Sequence, residues 1–81
     1  GPYTAAPVAG FTYKVDTAHL TIMFTNTSTG AVTYFWQFGD GSTSTLQNPF
    51  HTYAASGTYT VSLTVQNIAN TSDTKTENIT V

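Results

Sequence analysis

The sequence predicts an all-β fold, a small antiparallel β-sandwich of two sheets with about seven strands. Eighteen of the 81 residues are threonine, a residue that favours strands and disfavours helix interiors. Apolar and polar residues alternate in short stretches separated by Gly, Asn and Pro, and apolar residues do not recur at the helical period. A chain of this length buries one compact core. A five-stranded barrel is the alternative architecture that fits the same pattern.

The first three strands are predicted over residues 8–13, 20–25 and 33–38, where the alternation is readable. A turn rich in Asn, Thr, Ser and Gly separates the second strand from the third. The third strand places three aromatic residues on one face and so supplies the largest share of the core. The side chains expected to face inward are Ala9, Phe11, Tyr13, Leu20, Ile22, Phe24, Tyr34, Trp36 and Phe38.

The second half of the chain begins with a tight turn over residues 39–42, in which two glycines can take positive φ and Asp40 can bind backbone amides. Residues 58–65 show the clearest alternation, with an outer face of Thr and Ser only. Residues 67–73 are expected to form a polar loop, and residues 76–81 to form the last strand. The inward side chains expected from these two strands are Tyr59, Val61, Leu63, Val65, Ile79 and Val81.

The charge content excludes several classes of partner. Charged residues make up 7% of the chain, which has two Lys, no Arg and a formal net charge of −2. Because nucleic acids and anionic membranes are bound by clusters of Lys and Arg, neither is expected as a partner. No apolar run approaches the length of a bilayer-spanning helix, so we expect no membrane insertion. The absence of Cys excludes disulfides and thiolate metal sites.

We expect a module taken from a larger extracellular protein, because of the first residues of the chain, its end within an apolar-patterned stretch at Val81, and its sequons. Gly1-Pro2 looks like a cloning scar, and residues 1–6 are expected to be a scar or linker before a folded domain at 7–81. Three tripeptides fit the N-glycosylation acceptor pattern, which favours secretion. The candidate glycosylation sites are Asn26, Asn70 and Asn78.

Residues 36–42, Trp-Gln-Phe-Gly-Asp-Gly-Ser, resemble the signature of the PKD domain, a relative of the immunoglobulin sandwich. The resemblance continues in order and spacing over residues 7–81. It implies an Ig-like two-sheet fold of the kind found in extracellular regions of microbial proteases, chitinases, surface-layer proteins and animal polycystins. There the domain is an accessory, adhesive or mechanical module. The signature positions in this chain are Trp36, Phe38, Gly39, Asp40, Gly41, His51, Tyr53, Gly57 and Tyr59.

Asp40 and His51 are the natural candidates for acid–base chemistry, but the sequence offers no nucleophile motif to accompany them. We therefore expect no catalytic residue and no cofactor. Asp40 is expected to cap its own turn, and His51 to hydrogen-bond locally and fix the loop before Tyr53. Tyr53 and Tyr59 flank the loop that precedes the clearest strand, where a hydroxyl bonded back to the loop would pin the corner of a sandwich.

Calcium binding is the more specific functional alternative. The family that this chain resembles includes members, notably in bacterial collagenases, that bind calcium near the turn before the strand that carries the Trp. Those sites use acidic residues in that turn and an Asp directly after the Trp. In this chain the turn at 26–30 has no carboxylate, and Gln37 follows Trp36. Calcium prefers several carboxylate or carbonyl oxygens. We therefore expect no tight calcium site and no other metal.

Phe35 is the candidate contact residue. Its neighbours Tyr34 and Trp36 are expected to point inward. Because side chains alternate along a strand, Phe35 is expected on the outer face of the sheet. Trp36 itself is expected to be a core residue instead of a surface platform for sugar rings. A ring exposed on a surface of Thr and Ser is either an ordinary surface aromatic or a contact point.

Two functions are compatible with these observations. The first is a non-catalytic spacer, mechanical or interdomain adhesion unit that contacts neighbouring domains, including tandem copies, in a secreted or cell-surface protein. The alternative is an accessory domain that binds a polymer such as chitin, collagen or another surface glycan beside a secreted hydrolase. A polymer-binding module normally exposes two or more aromatic residues in a row. With Phe35 as the only such residue predicted, the spacer is favoured.

Overall fold

The computed structural model describes residues 4–81, which form seven strands in two antiparallel sheets. The strands are β1 (Phe11–Asp16), β2 (Thr21–Asn26), β3 (Thr33–Gln37), β4 (Thr43–Ser44), β5 (Phe50–Thr52), β6 (Thr58–Gln66) and β7 (Ser72–Thr80). One sheet has the order β1-β2-β5 and the other the order β4-β3-β6-β7. The fold is therefore the predicted sandwich and not a closed barrel. Residues 4–81 include no helix long and apolar enough to cross a membrane.

Side chains from both sheets meet in one aromatic core around Trp36, which is fully buried. Its ring centroid lies 4.9 Å from that of Phe24 and 5.1 Å from that of Phe11, both on the opposite sheet. The indole N–H donates a 2.9 Å hydrogen bond to the carbonyl of Leu46, so its burial leaves no donor unpaired. The buried apolar residues are Phe11, Ile22, Phe24, Trp36, Phe38, Tyr53, Val61, Leu63, Val65, Ile79 and Val81.

Two predicted strand boundaries are wrong, because pairing with a distant strand decides where a strand begins. β1 begins at Phe11 and not at residue 8, and Val8 forms only an isolated bridge to Thr29. β7 begins at Ser72 and not at residue 76, because β6 continues to Gln66 and pairs with it. Alternation did not reveal β4 and β5 because they are two and three residues long.

Tyr13 was expected in the core, but 38% of its surface is exposed. It lies on β1, the outer strand of its sheet. A side chain that faces inward from an outer strand is covered by the opposite sheet on one side only. Alternation gives the direction in which a side chain points, whereas the position of the strand in the sheet decides how deeply it is buried.

The chain enters the domain at one end of the sandwich and reaches its last residue at the other. The side-chain amide of Asn67, just after β6, donates a 3.0 Å hydrogen bond to the carbonyl of Ala5. Val81 exchanges two backbone hydrogen bonds of 2.9 and 3.1 Å with Gly57, just before β6. The nine-residue strand β6 separates these two points, a distance of about 30 Å. The proposed cloning scar, Gly1-Pro2, lies outside the described residues.

Candidate functional site

Phe35 lies on the outer face of the four-stranded sheet, as predicted, with 41% of its surface exposed. The neighbouring residue on β6 is Thr64, which in turn lies opposite Thr74 on β7. The hydroxyl oxygens of these two threonines are 2.9 Å apart. The ring therefore stands at one side of a surface made of paired hydroxyl groups, and it is the one large apolar side chain among the described residues on this face.

A second exposed aromatic residue, Phe50, lies on the outer face of the three-stranded sheet. Its surface is 72% exposed, and it lies directly opposite Met23, which is 50% exposed. The expectation that Phe35 is the only exposed aromatic residue is therefore wrong. The sequence contains the signal for this exposure. Side chains alternate between the two faces of a strand, so Phe50, three positions before the buried Tyr53, points to the opposite face. The Phe35 and Phe50 rings lie on opposite outer faces of the sandwich, so they cannot together contact one flat surface.

Asp40 and His51 form a polar contact that joins the two sheets. Asp40 belongs to the turn between β3 and β4, His51 lies on β5, and the Nε2–Oδ2 distance is 2.7 Å. The imidazole stacks on Phe38 with a centroid separation of 4.3 Å and an interplanar angle of 3°. Partial burial tends to raise the pKa of Asp40, but hydrogen bonds from His51 and the Ser42 amide outweigh it and hold the pKa below its usual range.

The turn that carries Asp40 needs a glycine immediately before it. Gly39 has a φ of +85°, and a Cβ at that position would lie 2.6 Å from the carbonyl oxygen of Thr60. Any other residue would combine an unfavourable backbone conformation with a steric clash. The second carboxylate oxygen of Asp40 accepts a 3.0 Å hydrogen bond from the amide of Ser42, as its predicted capping role requires. The sequence signature therefore fixes the position of a carboxylate at the end of the sandwich.

Two tyrosine hydroxyl groups fix the loop between β5 and β6. The Tyr53 hydroxyl donates a 2.7 Å hydrogen bond to the carbonyl of Phe38 on the opposite sheet. Burial, with a smaller contribution from the charge of Asp40, raises the pKa of Tyr53 to about 12. The Tyr59 hydroxyl donates a 2.8 Å hydrogen bond to the carbonyl of Ala55 within the loop. The two rings stack with centroids 4.0 Å apart.

The acidic side chains Asp16, Asp40 and Asp73 make separate contacts with different partners. Asp16 accepts a hydrogen bond from His19 at 2.7 Å, and Asp73 accepts one from the amide of Ala9 at 2.7 Å. Within residues 4–81, no three His, Asp or Glu side chains come together as a metal site would require, and no cavity is found. Both carboxylate oxygens of Asp40 are engaged, one by His51 and one by the following turn. These two hydrogen bonds hold the turn in place.

The three sequons differ in how their asparagine side chains are held. The amide group of Asn26 is engaged at both atoms, accepting from the Ser28 amide at 2.9 Å and donating to the Gln47 carbonyl at 3.0 Å. The side-chain oxygen of Asn78, on β7, accepts a 2.7 Å hydrogen bond from Thr60. Asn70 is exposed in the turn between β6 and β7 and has a φ of +63°.

Comparison with known proteins gives matches along most of the chain. A family model described as the PKD domain matches residues 4–81. Pre-pro-metalloprotease PrtV of Vibrio cholerae is 42% identical over 80 residues, which cover 94% of this chain and 8% of PrtV. Collagenase ColA of Bacillus cereus is 60% identical over 35 residues, which cover 43% of this chain and 4% of the collagenase. The chain thus spans less than a tenth of the length of these curated relatives.

Solved structures match the whole sandwich. The PKD1 domain of Vibrio cholerae PrtV superposes with a TM-score of 0.86 at 42% identity, covering 95% of this chain and 98% of that domain. The PKD1 domain of Vibrio anguillarum Epp gives 0.88 at 36% identity, covering 98% and 96%. A structure from work on the promiscuous specificity of carbohydrate-binding modules of the β-sandwich superfamily gives 0.88 at 29% identity, covering 99% of this chain and 36% of that one.

Proposed function

The chain belongs to the PKD domain family, and from this premise we propose that it is a non-catalytic spacer that holds neighbouring domains in line within a larger extracellular protein. The relatives PrtV and ColA are named as a protease and a collagenase, and the region matched by this chain is a small part of each. Placement outside the cell is supported by the pre-pro form of PrtV and by the three sequons of this chain. The larger protein that contains this module is either secreted or attached to a cell surface or surface layer.

The observation that carries the proposal is the position of residues 5 and 81 at opposite ends of the sandwich. The domain measures 51 × 20 × 17 Å along its principal axes. Ala5 and Val81 are each hydrogen-bonded to a residue that flanks β6, Ala5 to Asn67 and Val81 to Gly57. Segments attached at these ends would leave in opposite directions, so each module adds its own length to the distance between its neighbours.

The same arrangement suits a domain that carries a mechanical load. A pull on residue 81 acts along β7, which is antiparallel to β6 and paired with it in register from end to end. The hydrogen bonds of the ladder are perpendicular to the strands. A pull along β7 therefore loads all of these hydrogen bonds in shear at the same time, instead of breaking them one after another.

The polymer-binding alternative has one observation in its favour, the exposed pair of Phe50 and Met23 opposite each other on β5 and β2. A flat polysaccharide or a collagen triple helix would contact one face of the module. Phe35 lies on the other face, so each face offers one aromatic ring. Because stacking recognition of a polymer uses a row of rings, the spacer is the better supported function.

For the sequons we propose that Asn70 is the acceptor in a host that glycosylates the protein. It lies in an exposed turn, whereas Asn26 is held at both amide atoms and Asn78 lies within a strand. Mass spectrometry of the secreted protein, with Asn70→Gln as the variant, tests this. Glycan on Asn26 in the folded protein would contradict it.

The spacer proposal is tested with the chain joined to its natural neighbours. Small-angle X-ray scattering should give a maximum dimension that grows by about the length of one sandwich when this module is included. The control lacks residues 4–81 and joins the flanking domains directly. A maximum dimension that stays the same would show that the module folds back on its neighbours, and the spacer function would be wrong.

A further inference from the structure

Among the strands of residues 4–81, β7 is the outer strand of the four-stranded sheet, and its backbone pairs with β6 on one side and with no described strand on the other. Val81 and Gly57 exchange two hydrogen bonds at one end of this pair, and the amide of Asn67 donates to Thr71 at the other. Hydrogen-bonded pairs alternate with non-bonded pairs in an antiparallel ladder. The odd-numbered residues of β7 therefore bond to β6, and the even-numbered residues direct their N–H and C=O groups to the free edge. Those residues are Ser72, Thr74, Thr76, Asn78 and Thr80.

The inward face of β7 carries charged side chains beside this free edge. Asp73, Lys75 and Glu77 lie opposite the buried β6 residues Val65, Leu63 and Val61. Lys75 Nζ lies 3.5 Å from Glu77 Oε1, and both side chains are about one-third exposed, at 37% and 34%. Lys75 also lies over the Phe11 ring, 5.3 Å from its centroid. Inward-pointing charges on an outer strand disfavour pairing with most other strands, because pairing would bury them.

We propose that the free edge of β7 binds the same edge of a second copy of this chain, in antiparallel orientation and centred on Thr76. In that register Lys75 lies opposite the partner's Glu77, and Glu77 lies opposite the partner's Lys75. The two-fold symmetry thus forms two cross-strand pairs of opposite charge. Thr76 is also the midpoint of β7 (Ser72–Thr80), so all nine residues of each strand are paired.

The neighbouring registers are rejected by charge. Moving the centre to residue 75 places Lys75 opposite the partner's Lys75 and Asp73 opposite the partner's Glu77. Moving the centre to residue 77 places Glu77 opposite the partner's Glu77. Like charges directly opposite each other destabilise a strand pair. A shift by half of such a step would pair an even-numbered residue of one strand with an odd-numbered residue of the other. The backbone N–H and C=O groups of the odd-numbered residue are already bonded to β6, so the two strands could not form a hydrogen-bonded ladder.

The outer face of the paired strands would repeat contacts that the domain already makes. In the Thr76-centred register, Thr74 lies opposite the partner's Asn78 and Ser72 opposite the partner's Thr80. On β6 and β7 themselves, Thr60 donates to Asn78 at 2.7 Å. The charges of β7 disfavour pairing with strands of other proteins, but they are complementary to the antiparallel β7 of a second copy. The edge is therefore selective for self-association.

The test is sedimentation velocity of residues 1–81 over a concentration series that extends to the limit of solubility. We expect a monomer–dimer equilibrium that weakens at high salt, because exposed ion pairs are screened. Lys75→Glu and Glu77→Lys should each weaken the dimer by about tenfold, since one substitution converts both symmetric pairs to like charges. The double variant K75E/E77K should restore it. Lys14→Glu, with the same charge change on β1, is the matched control and should leave the dimer unchanged.

A second variant tests the backbone pairing directly. Thr76→Pro removes an N–H that faces the free edge and leaves the bonds to β6 in place, so it should abolish the dimer while the thermal unfolding transition persists. A wild-type protein that stays monomeric at every concentration would overturn the proposal. So would a dimer that survives Thr76→Pro or that responds equally to Lys14→Glu and Lys75→Glu, since the contact would then lie on another surface, such as that of Phe50. The result is independent of the spacer function, which does not require self-association.

Discussion

The hydroxyl group of Tyr53 donates a buried hydrogen bond of 2.7 Å to the backbone carbonyl of Phe38, and this bond joins the two sheets. Phe38 directly follows β3, and Tyr53 directly follows β5. The imidazole of His51 lies between the two rings, stacked on Phe38 and edge-on to Tyr53. The end of the sandwich is thus fixed by one hydrogen bond and by the aromatic contacts around it.

Tyr53→Phe should lower the free energy of unfolding by about 1–3 kcal/mol, because it leaves the buried carbonyl of Phe38 without a donor. Urea unfolding with intrinsic fluorescence measures this. Tyr59→Phe is the matched control, since its hydroxyl bonds to Ala55 at an exposed position and its loss should cost less. Equal losses for the two variants would mean that the bond to Phe38 has no special role.

Alkaline pH should destabilise the wild-type protein through the same residue. The folded state raises the pKa of Tyr53 to about 12, above its usual value of 10.0. The corresponding stability is therefore fully present below pH 10 and is lost as the pH rises through about 12. The Tm of the wild type should fall over this interval more steeply than that of Tyr53→Phe. Parallel curves for the two proteins would assign the loss to other groups.

Trp36→Ala should cost about 3–5 kcal/mol, as expected for the removal of a large buried side chain. The indole is fully buried and its N–H is bonded to the carbonyl of Leu46, so both packing and a hydrogen bond are lost. The measurement is the urea midpoint at constant slope. Stability close to that of the wild type would be incompatible with Trp36 at the centre of the core.

Millimolar calcium should change the Tm by less than about 2 °C, since a ligand stabilises a protein only at concentrations well above its dissociation constant. Asp16, Asp40 and Asp73 each accept a separate hydrogen bond, from His19, His51 and the amide of Ala9. Differential scanning calorimetry with calcium and with chelator measures the shift. A clear calcium-dependent rise would require the acidic side chains to leave these contacts and share an ion.

Phe35→Ala should leave the stability of the isolated domain within about 0.5 kcal/mol of the wild type, because the ring is on the surface. If Phe35 contacts a neighbouring domain, the substitution should weaken thermal coupling between this module and that domain. Phe50→Ala is the matched variant on the opposite face. Pull-down on insoluble chitin, cellulose and collagen tests the polymer alternative with the same proteins.

Unchanged stability, coupling and polymer retention in Phe35→Ala would make Phe35 an ordinary surface residue. Loss of polymer retention in Phe50→Ala, with coupling unchanged in both variants, would favour the polymer-binding function over the spacer. A sharp fall in stability for Phe35→Ala would contradict the strand register that places this ring outside.

The sequence by itself determined the fold class, the facing of β2, β3 and β6, and the capped turn at Asp40. These features depend on short-range order, namely the period-two alternation of a strand and the need for glycine where φ is positive. Trp36, Phe38, Val61 and Leu63 are buried as their alternation predicts. The outward position of Phe35 follows from the same rule.

Only the tertiary structure decided which residues lie beside one another across the sheets, because strand pairing and sheet order depend on contacts between distant parts of the chain. The sequence predicted that Asp40 and His51 each act locally, whereas the fold brings them together from different sheets. It also exposes Phe50 on the face opposite Phe35 and, among the strands that the structure describes, leaves one edge of β7 unpaired. Alternation assigns a side chain to a face of its strand, but the neighbours of that strand decide what the face and the edge can bind.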